Sequence, residues 1–379
     1  MSGFGIYVHW PFCAAKCPYC DFNSHVRAAI DEDGWVDAIL AELAWVRARQ
    51  AGTPIVETIF LGGGTPSLMS GRAVGRVLEK IAALWPRAND VEVTLEANPA
   101  SADAARFADY ASAGVNRVSL GVQALNDADL KALGRLHDVA EARGALATAM
   151  RQFDRVSLDL IYARPGQSDA DWRAELKQAL SFGTSHLSLY QLTIEPETPY
   201  ALLYRQGRLA IPDDDLAAGL YETTQELTEA AGLPAYEISN HARPGQESRH
   251  NLIYWRYGDY AGVGPGAHGR LTLPGGRIAT AAIRLPERWI ARVAKQGHGF
   301  DEMTAITDAD AAREHLLMNL RLAEGLDLGA YERRWGTRPG AARIAALAGQ
   351  GLLRLDGDIL TATPAGRLLL NRVIAELLN

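Results

Sequence analysis

The sequence predicts an α/β protein: a partial barrel of six strand–helix units, followed by a smaller, mostly helical, winged-helix-like C-terminal domain. Three observations predict it. Short β-branched runs alternate with helical patterns over the first 200 residues. All the cysteines directly follow the first of those runs. Beyond about residue 284 the pattern becomes helical and closes with a hairpin and one more helix.

Strands are expected at residues 6–9, 56–61, 91–96, 117–120, 156–161 and 186–190, where Val, Ile, Leu, Thr and Tyr crowd together. Helical patterns occupy 35–49, 72–84, 102–113, 140–151 and 169–182. Parallel pairing needs a crossover between successive strands, and helices of this length supply it. Such sheets carry their chemistry on loops at the carboxyl ends of strands, which is where the cysteines fall. Residues 212–231 read as a further helix. The stretch 237–276, rich in Gly, Pro, His, Tyr and Arg, shows little periodicity and is expected to be irregular and functional. Helices follow at 286–295, 308–321, 328–335 and 341–348. Asp356-Gly357 between two apolar runs signals a hairpin, and 364–377 a closing helix. The expected divisions are 1–235 for the barrel, 236–284 for a segment completing it, and 285–379 for the C-terminal domain.

Composition narrows the function classes. Of 379 residues, 48% are apolar and 36 are glycine, which suits one large domain and a smaller one with many tight turns. No apolar run reaches the roughly 18 residues of a membrane span. The first residues lack the basic and apolar regions of a secretory signal, so the cytoplasm is the expected location. A net charge of −7 without a basic stripe argues against nucleic-acid binding, by the winged-helix-like part included.

The chemistry concentrates in three segments. Cys13, Cys17 and Cys20 form C-x3-C-x2-C, and no cysteine follows. Three thiolates from one loop hold three irons of a 4Fe-4S cluster and leave the fourth open for a small molecule. A disulfide would strand one cysteine and is rare in a reducing compartment. A Cys3His zinc site with His9 or His25, and inert buried thiols, are the other readings. The second segment is Gly62-Gly63-Gly64-Thr65-Pro66, closing the second strand. Its glycines let backbone approach a ligand closely, though a structural turn needs no more. It is neither a dinucleotide fingerprint nor a P-loop. The third is His250-Asn-Leu-Ile-Tyr-Trp255, flanked by Arg249 and Arg256. Imidazole is an axial ligand for haem iron and arginines pair with propionates, whereas a lone histidine beside aromatics is more often a hydrogen-bonded residue.

The cysteine spacing after the first strand, with a glycine turn after the second, resembles the radical S-adenosylmethionine (SAM) superfamily. Tyr7-Val-His-Trp-Pro-Phe-Cys13 and Gly62-Gly-Gly-Thr-Pro66 narrow the resemblance to the family of oxygen-independent coproporphyrinogen III oxidase (HemN) and its relative, the haem chaperone HemW. The resemblance implies a radical SAM partial (β/α)6 barrel with a HemN-type C-terminal domain. It implies cluster ligation by Cys13, Cys17 and Cys20, and SAM contacts at Tyr7, Gly63, Gly64, Thr65, Glu96, Gln123, Arg135 and Asp159. Several of these fall at strand ends, where a capping role is the alternative. The segment H-N-x-x-Y-W implies haem at His250, with His241 and His268 secondary.

The oxidase pattern continues as Cys-x-Cys at the third cysteine, whereas Asp21 and Phe22 follow Cys20 here. The chain also starts almost at its first strand, so the oxidase's N-terminal extension is expected to be missing. Both departures point to haem chaperoning over decarboxylation, with radical SAM methyl transfer a weaker reading. The implied cofactors are the 4Fe-4S cluster, SAM and haem. The implied partner is an acceptor haemoprotein, with peripheral contact to membrane haemoproteins and a homodimer as further expectations.

Overall fold

The structure is a computed structural model that describes residues 3–378. Six strands lie where the sequence places them: β1 (Phe4–Trp10), β2 (Val56–Gly63), β3 (Arg87–Ala97), β4 (Arg117–Gln123), β5 (Arg155–Tyr162) and β6 (His186–Gln191). They pair in parallel in that order, each crossing back through a helix. Polar side chains cap the helices between them: Asp31 accepts from Gly34 N, Ser70 from Ala73 N, and Asp138 and Ser168 form capping boxes.

Alternation along these strands divides their two faces. Ile6, Val8, Ile59, Leu61, Leu120 and Leu158 point outward to the helices and are fully buried. Each such side chain stabilises the fold by about 1.5–3 kcal/mol. The opposite positions carry Tyr7, Glu96, Ser119, Asp159 and Ser188, all of which line interior cavities. A parallel sheet covered on both faces is normally apolar on both. Here the inner face is polar because it surrounds cavities instead of packed side chains.

The stretch expected to be irregular is built of short elements. It holds β7 (Asn240–Ala242), a helix Arg249–Trp255, β8 (Asp259–Val263), β9 (His268–Leu273) and β10 (Gly276–Ala282). β8 pairs in parallel with β1, and β9, β10 and β11 (Phe300–Ala305) extend that edge in antiparallel fashion to complete an eleven-stranded sheet. Periodicity failed here because the elements span three to seven residues and carry glycine where a side chain would collide. A Cβ on Gly262 would lie 1.8 Å from the His268 carbonyl oxygen. Glu42, fully buried on the helix Glu32–Arg47, fastens this edge by accepting from Gly264 N, Gly299 N and Trp289 Nε1. The helices Asp127–Ala132 and Pro199–Arg205 were also too short to show a period.

A second core begins at Ala312 and includes Leu316, Tyr331, Leu347, Leu360 and Val373. The helix Pro286–Gln296 and β11 pack into the first core through Trp289, Val293 and Phe300. The change of core therefore falls after Ala305, not at residue 285. The helices Asp308–Asn319, Leu328–Trp335 and Ala341–Gly349 precede a hairpin of β13 (Leu353–Asp356) and β14 (Ile359–Ala362), with β12 (Leu326–Asp327) on its other edge. The expected last helix is two, Pro364–Leu368 and Leu370–Leu378. The break at Leu369 lets Leu370, Val373, Ile374 and Leu377 face the second core. Arg256 grips Glu324 with two hydrogen bonds of 2.7 and 2.6 Å, and Tyr257 Oη donates to Glu314, tying the two cores together.

Candidate functional site

The cysteine loop leaves the carboxyl end of β1 and is held by backbone. Cys13 N donates to the His25 carbonyl (3.0 Å) and His25 N to that of Pro11 (2.7 Å). The glycine turn at the end of β2 is stitched to the same loop: Gly64 N donates to Trp10 O (2.7 Å) and Thr65 N to Phe12 O (2.8 Å). A Cβ on Gly64 would lie 2.7 Å from Phe12 O, and Gly63 has φ +110°. Both positions therefore need glycine.

Cys13, Cys17 and Cys20 are free thiols that line one cavity of about 440 Å³. Burial raises the pKa of Cys13 and Cys20 above the usual thiol value, so metal binding there displaces protons. Thr65 Oγ1 donates to Cys13 Sγ (3.3 Å), and Arg135 Nη1 to Cys17 Sγ (3.5 Å). Donors to sulfur of this kind tune an iron–sulfur cluster. Among the described residues, no three His, Cys, Asp or Glu side chains converge on a single ion. Three thiols spread along a cavity wall suit a cuboidal cluster, which takes one sulfur per iron. His9 is not turned to them: its Nδ1 accepts from Tyr7 Oη (2.9 Å) and its Nε2 donates to the Asn23 carbonyl (2.9 Å). Burial pushes its pKa down to about 4 and keeps it neutral. His25 is hydrogen-bonded to Asn23 Oδ1.

The other wall holds the polar strand ends. Gly63, Gly64, Thr65, Glu96, Gln123, Arg135 and Asp159 all line the thiol cavity, while Tyr7 lines a second cavity beneath it. Glu96 accepts from Gly63 N (3.1 Å), and burial, then the nearby Asp159, push its pKa up to about 7. Asp159 takes hydrogen bonds from Ser119 and Ser157, and burial raises its pKa too. Gln123 stands at a register slip between β4 and β5 with φ +76°, a conformation non-glycine residues seldom adopt. Its buried Oε1 has no partner, nor has Arg135 Nε. Strained backbone and orphaned polar atoms on a cavity wall fit a bound ligand that supplies the missing partners.

The sequence reading gave His250 to haem. Its side chain is fully buried against Phe60, with ring centroids 5.2 Å apart. Nδ1 is hydrogen-bonded with Thr58 Oγ1 and Nε2 with Tyr254 Oη, both at 2.7 Å. Burial, then the charge of Arg117, push its pKa down to about 3. The helix that carries it is pinned by Glu92, which accepts from Arg249 N (3.2 Å) and His250 N (3.1 Å). Both ring nitrogens are engaged in the hydrogen bonds with Thr58 and Tyr254. His241 is likewise buried, with Nδ1 bonded to Thr228 (3.0 Å), whereas His268 is exposed at the start of β9.

Sequence reasoning missed Ser119 and Tyr190, which also line the thiol cavity. The available signal was serine at inward positions of three consecutive strands: Ser119 stands in register with Ser157, and Ser188 with Asp159. Phe22, 62% exposed, forms an apolar rim at the cavity.

Comparison with known proteins agrees with this geometry. The radical SAM superfamily profile matches residues 7–179 and that of the HemN C-terminal domain residues 306–369. Heme chaperone HemW of Escherichia coli (strain K12) is 39% identical over 381 residues, covering 97% of this chain and 96% of its own length. Heme chaperone HemW of Bacillus subtilis (strain 168) is 32% identical, covering 98% of each. Radical S-adenosyl methionine domain-containing protein 1, mitochondrial, of Bos taurus is 38% identical over 99% of this chain and 87% of its own. A solved structure of coproporphyrinogen III oxidase (HemN) from Escherichia coli superposes with a TM-score of 0.83 at 22% identity, covering 99% of this chain and 90% of that one. At that identity the likeness speaks for the fold.

Two outcomes are expected. Replacing Cys13, Cys17 or Cys20 with Ala abolishes the charge-transfer absorption and iron content of anaerobically reconstituted protein; retention of a full cluster would remove that cysteine from the ligand set. His250→Ala costs about 2–4 kcal/mol in denaturant unfolding, as truncation of a buried side chain with two hydrogen bonds does. His250→Gln, where it folds, keeps haem affinity within about twofold in a titration; a larger loss would mean that the floor opens and His250 reaches iron.

Proposed function

The chain belongs to the HemW family of radical SAM proteins, and from that premise we propose that it is a haem chaperone, which binds haem and passes it to an acceptor haemoprotein. The observation that carries the reading is the coincidence of two things. One is a single cavity with three free thiols and a glycine-edged, strained, partly unpartnered wall. The other is near full-length identity of 32–39% with proteins named Heme chaperone HemW.

Cys13, Cys17 and Cys20 hold the 4Fe-4S cluster, and SAM occupies the cavity beside it. Bound there, the cluster supplies Lewis-acid coordination at its open iron and one-electron reduction of a sulfonium. The chain's own groups do the rest. Gly63 and Gly64 present a backbone edge that no side chain blocks. Glu96 offers a carboxylate to an ammonium or hydroxyl group, and its ionisation near neutral pH makes that hold stronger as pH rises. Gln123 and Arg135 supply the hydrogen-bonding atoms left free by the protein, and Asp159 is oriented by Ser119 and Ser157. Tyr7 is fixed by neutral His9, so its hydroxyl proton is committed to that ring. Thr65 and Arg135 stabilise negative charge on the sulfurs.

Among the described residues, no helix is long and apolar enough to cross a membrane. We place the protein in the cytoplasm, meeting membrane-bound acceptors peripherally, with a homodimer as its further association. The test is an anaerobic haem titration of reconstituted protein, run beside an assay with dithionite, SAM and coproporphyrinogen III. The expected result is saturable haem binding, transfer to an apo-haemoprotein, and no protoporphyrinogen. Steady conversion of coproporphyrinogen III, with 5′-deoxyadenosine released in proportion, would instead make the chain a biosynthetic oxidase.

A further inference from the structure

Beneath the thiol cavity the barrel encloses a second chamber of about 320 Å³, room for about ten water molecules at roughly 30 Å³ each. The two share Glu96, Ser119, Asp159 and Tyr190, so they adjoin at these side chains. The helix Arg249–Trp255 closes the chamber with His250, Asn251 and Tyr254, which gives the H-N-x-x-Y-W segment a place in the molecule.

One cation in this chamber touches no counter-charge, although its field reaches Glu96 and Asp159. Arg117 is 2% exposed and lines the chamber. Among the described residues no carboxylate lies within the 4.0 Å of an ion pair, and its guanidinium makes no hydrogen bond. The nearest strands explain why. Arg117 stands in register with Thr94 on one side and Arg155 on the other. The acid two residues before Thr94 on β3, Glu92, is taken by Arg155 at 2.7 Å and by the amides of Arg249 and His250. His186 and His250 are neutral there, both pushed down by burial. A buried cation without a partner is costly unless something compensates it.

The acids of the chamber lie at its other end. Glu96 is in register with Ser119, two residues along the strand from Arg117, and Asp159 with Gly121, four residues along. At about 3.3 Å per residue these levels are roughly 7 and 13 Å above the Arg117 backbone. The backbone levels are thus polarised along the barrel axis, Arg117 at one end and the two acids at the other, the roof, and the guanidinium's charge still reaches both carboxyl groups and favours their ionised forms. On the chamber wall, Asn240 Oδ1 is buried and unpartnered.

We propose that the inner chamber is a binding site for a small organic acid, whose carboxylate sits on Arg117 and whose hydroxyl or ammonium group points to Glu96 and Asp159. The planar guanidinium fork matches a carboxylate with two parallel hydrogen bonds, and the roof and Asn240 need donors, which such a molecule carries at its other end. The site does not depend on the haem-carrying reading, since it is defined by the barrel interior alone.

The test is equilibrium dialysis of the reconstituted protein against radiolabelled glycolate, lactate and glycine, with ethylene glycol as a probe lacking the carboxylate. The expected result is saturable binding of at least one acid and none of ethylene glycol. Arg117→Gln is expected to weaken acid binding at least tenfold, and Arg117→Lys, which keeps the charge, to weaken it less than about fivefold. Absence of acid binding to the unsubstituted protein would overturn the proposal. So would binding unchanged in Arg117→Gln, which would place the acid on the open iron. Weakened SAM binding in Arg117→Gln without any acid binding would reduce Arg117 to a counter-charge for Glu96 and Asp159, and overturn it too.

Discussion

Each inner strand of this barrel must satisfy two opposed environments at alternate residues. Ile59 and Leu61 on β2, or Leu158 and Leu160 on β5, are sealed against helices. Phe60 and Asp159, between them in the same two strands, face a hollow. The hollow survives because the outward face alone provides the apolar burial that holds the sheet together, while inward groups bond to one another: Ser119 and Ser157 to Asp159, Thr58 to His250, Glu92 to Arg155. Where such bonds run out, at Gln123, Arg135 and Arg117, the unsatisfied groups mark ligand space. A buried polar group left unmade costs about 1–3 kcal/mol, so their accumulation along two connected cavities is better explained by occupants than by tolerance.

The same economy of backbone fixes the cluster loop. Cys13 and His25 exchange a strand-like hydrogen bond across the loop, and Gly64 and Thr65 donate to its other side. The thiols are therefore placed by main chain from two strands, with no need for a helix or a fourth cysteine. Only glycine at 63 and 64 permits that approach. Binding and positioning are consequences of one junction, where the ends of β1 and β2 meet.

Much of this was legible in the sequence, and the reason is scale. The parallel strands and the helices of ten or more residues declare themselves by period, as do the cysteine spacing and the glycine turn. Short elements do not: β8 is five residues with two acting as ordinary core, and the helix at Arg249–Trp255 shows barely two turns. His250 was read from its chemical type and its aromatic neighbours, which fit both haem ligation and a sealed floor. What the sequence could not show is the partner Thr58, 192 residues away in sequence and 2.7 Å away in space. The bulge that turns Gln123 toward the cavity is likewise invisible without the pairing of β4 with β5. The shift of the core boundary past residue 285 came from Trp289 stacking on Trp35, a contact that no local pattern encodes.

The central claim is that Cys13, Cys17 and Cys20 leave one iron of a four-iron cluster open and that SAM takes it. Electron–nuclear double resonance of the reduced, reconstituted protein with SAM carrying 15N in its amino group addresses this directly. The account predicts a hyperfine coupling of the labelled nitrogen to the cluster, lost when SAM is omitted. A fully formed cluster that shows no such coupling with SAM bound would contradict it.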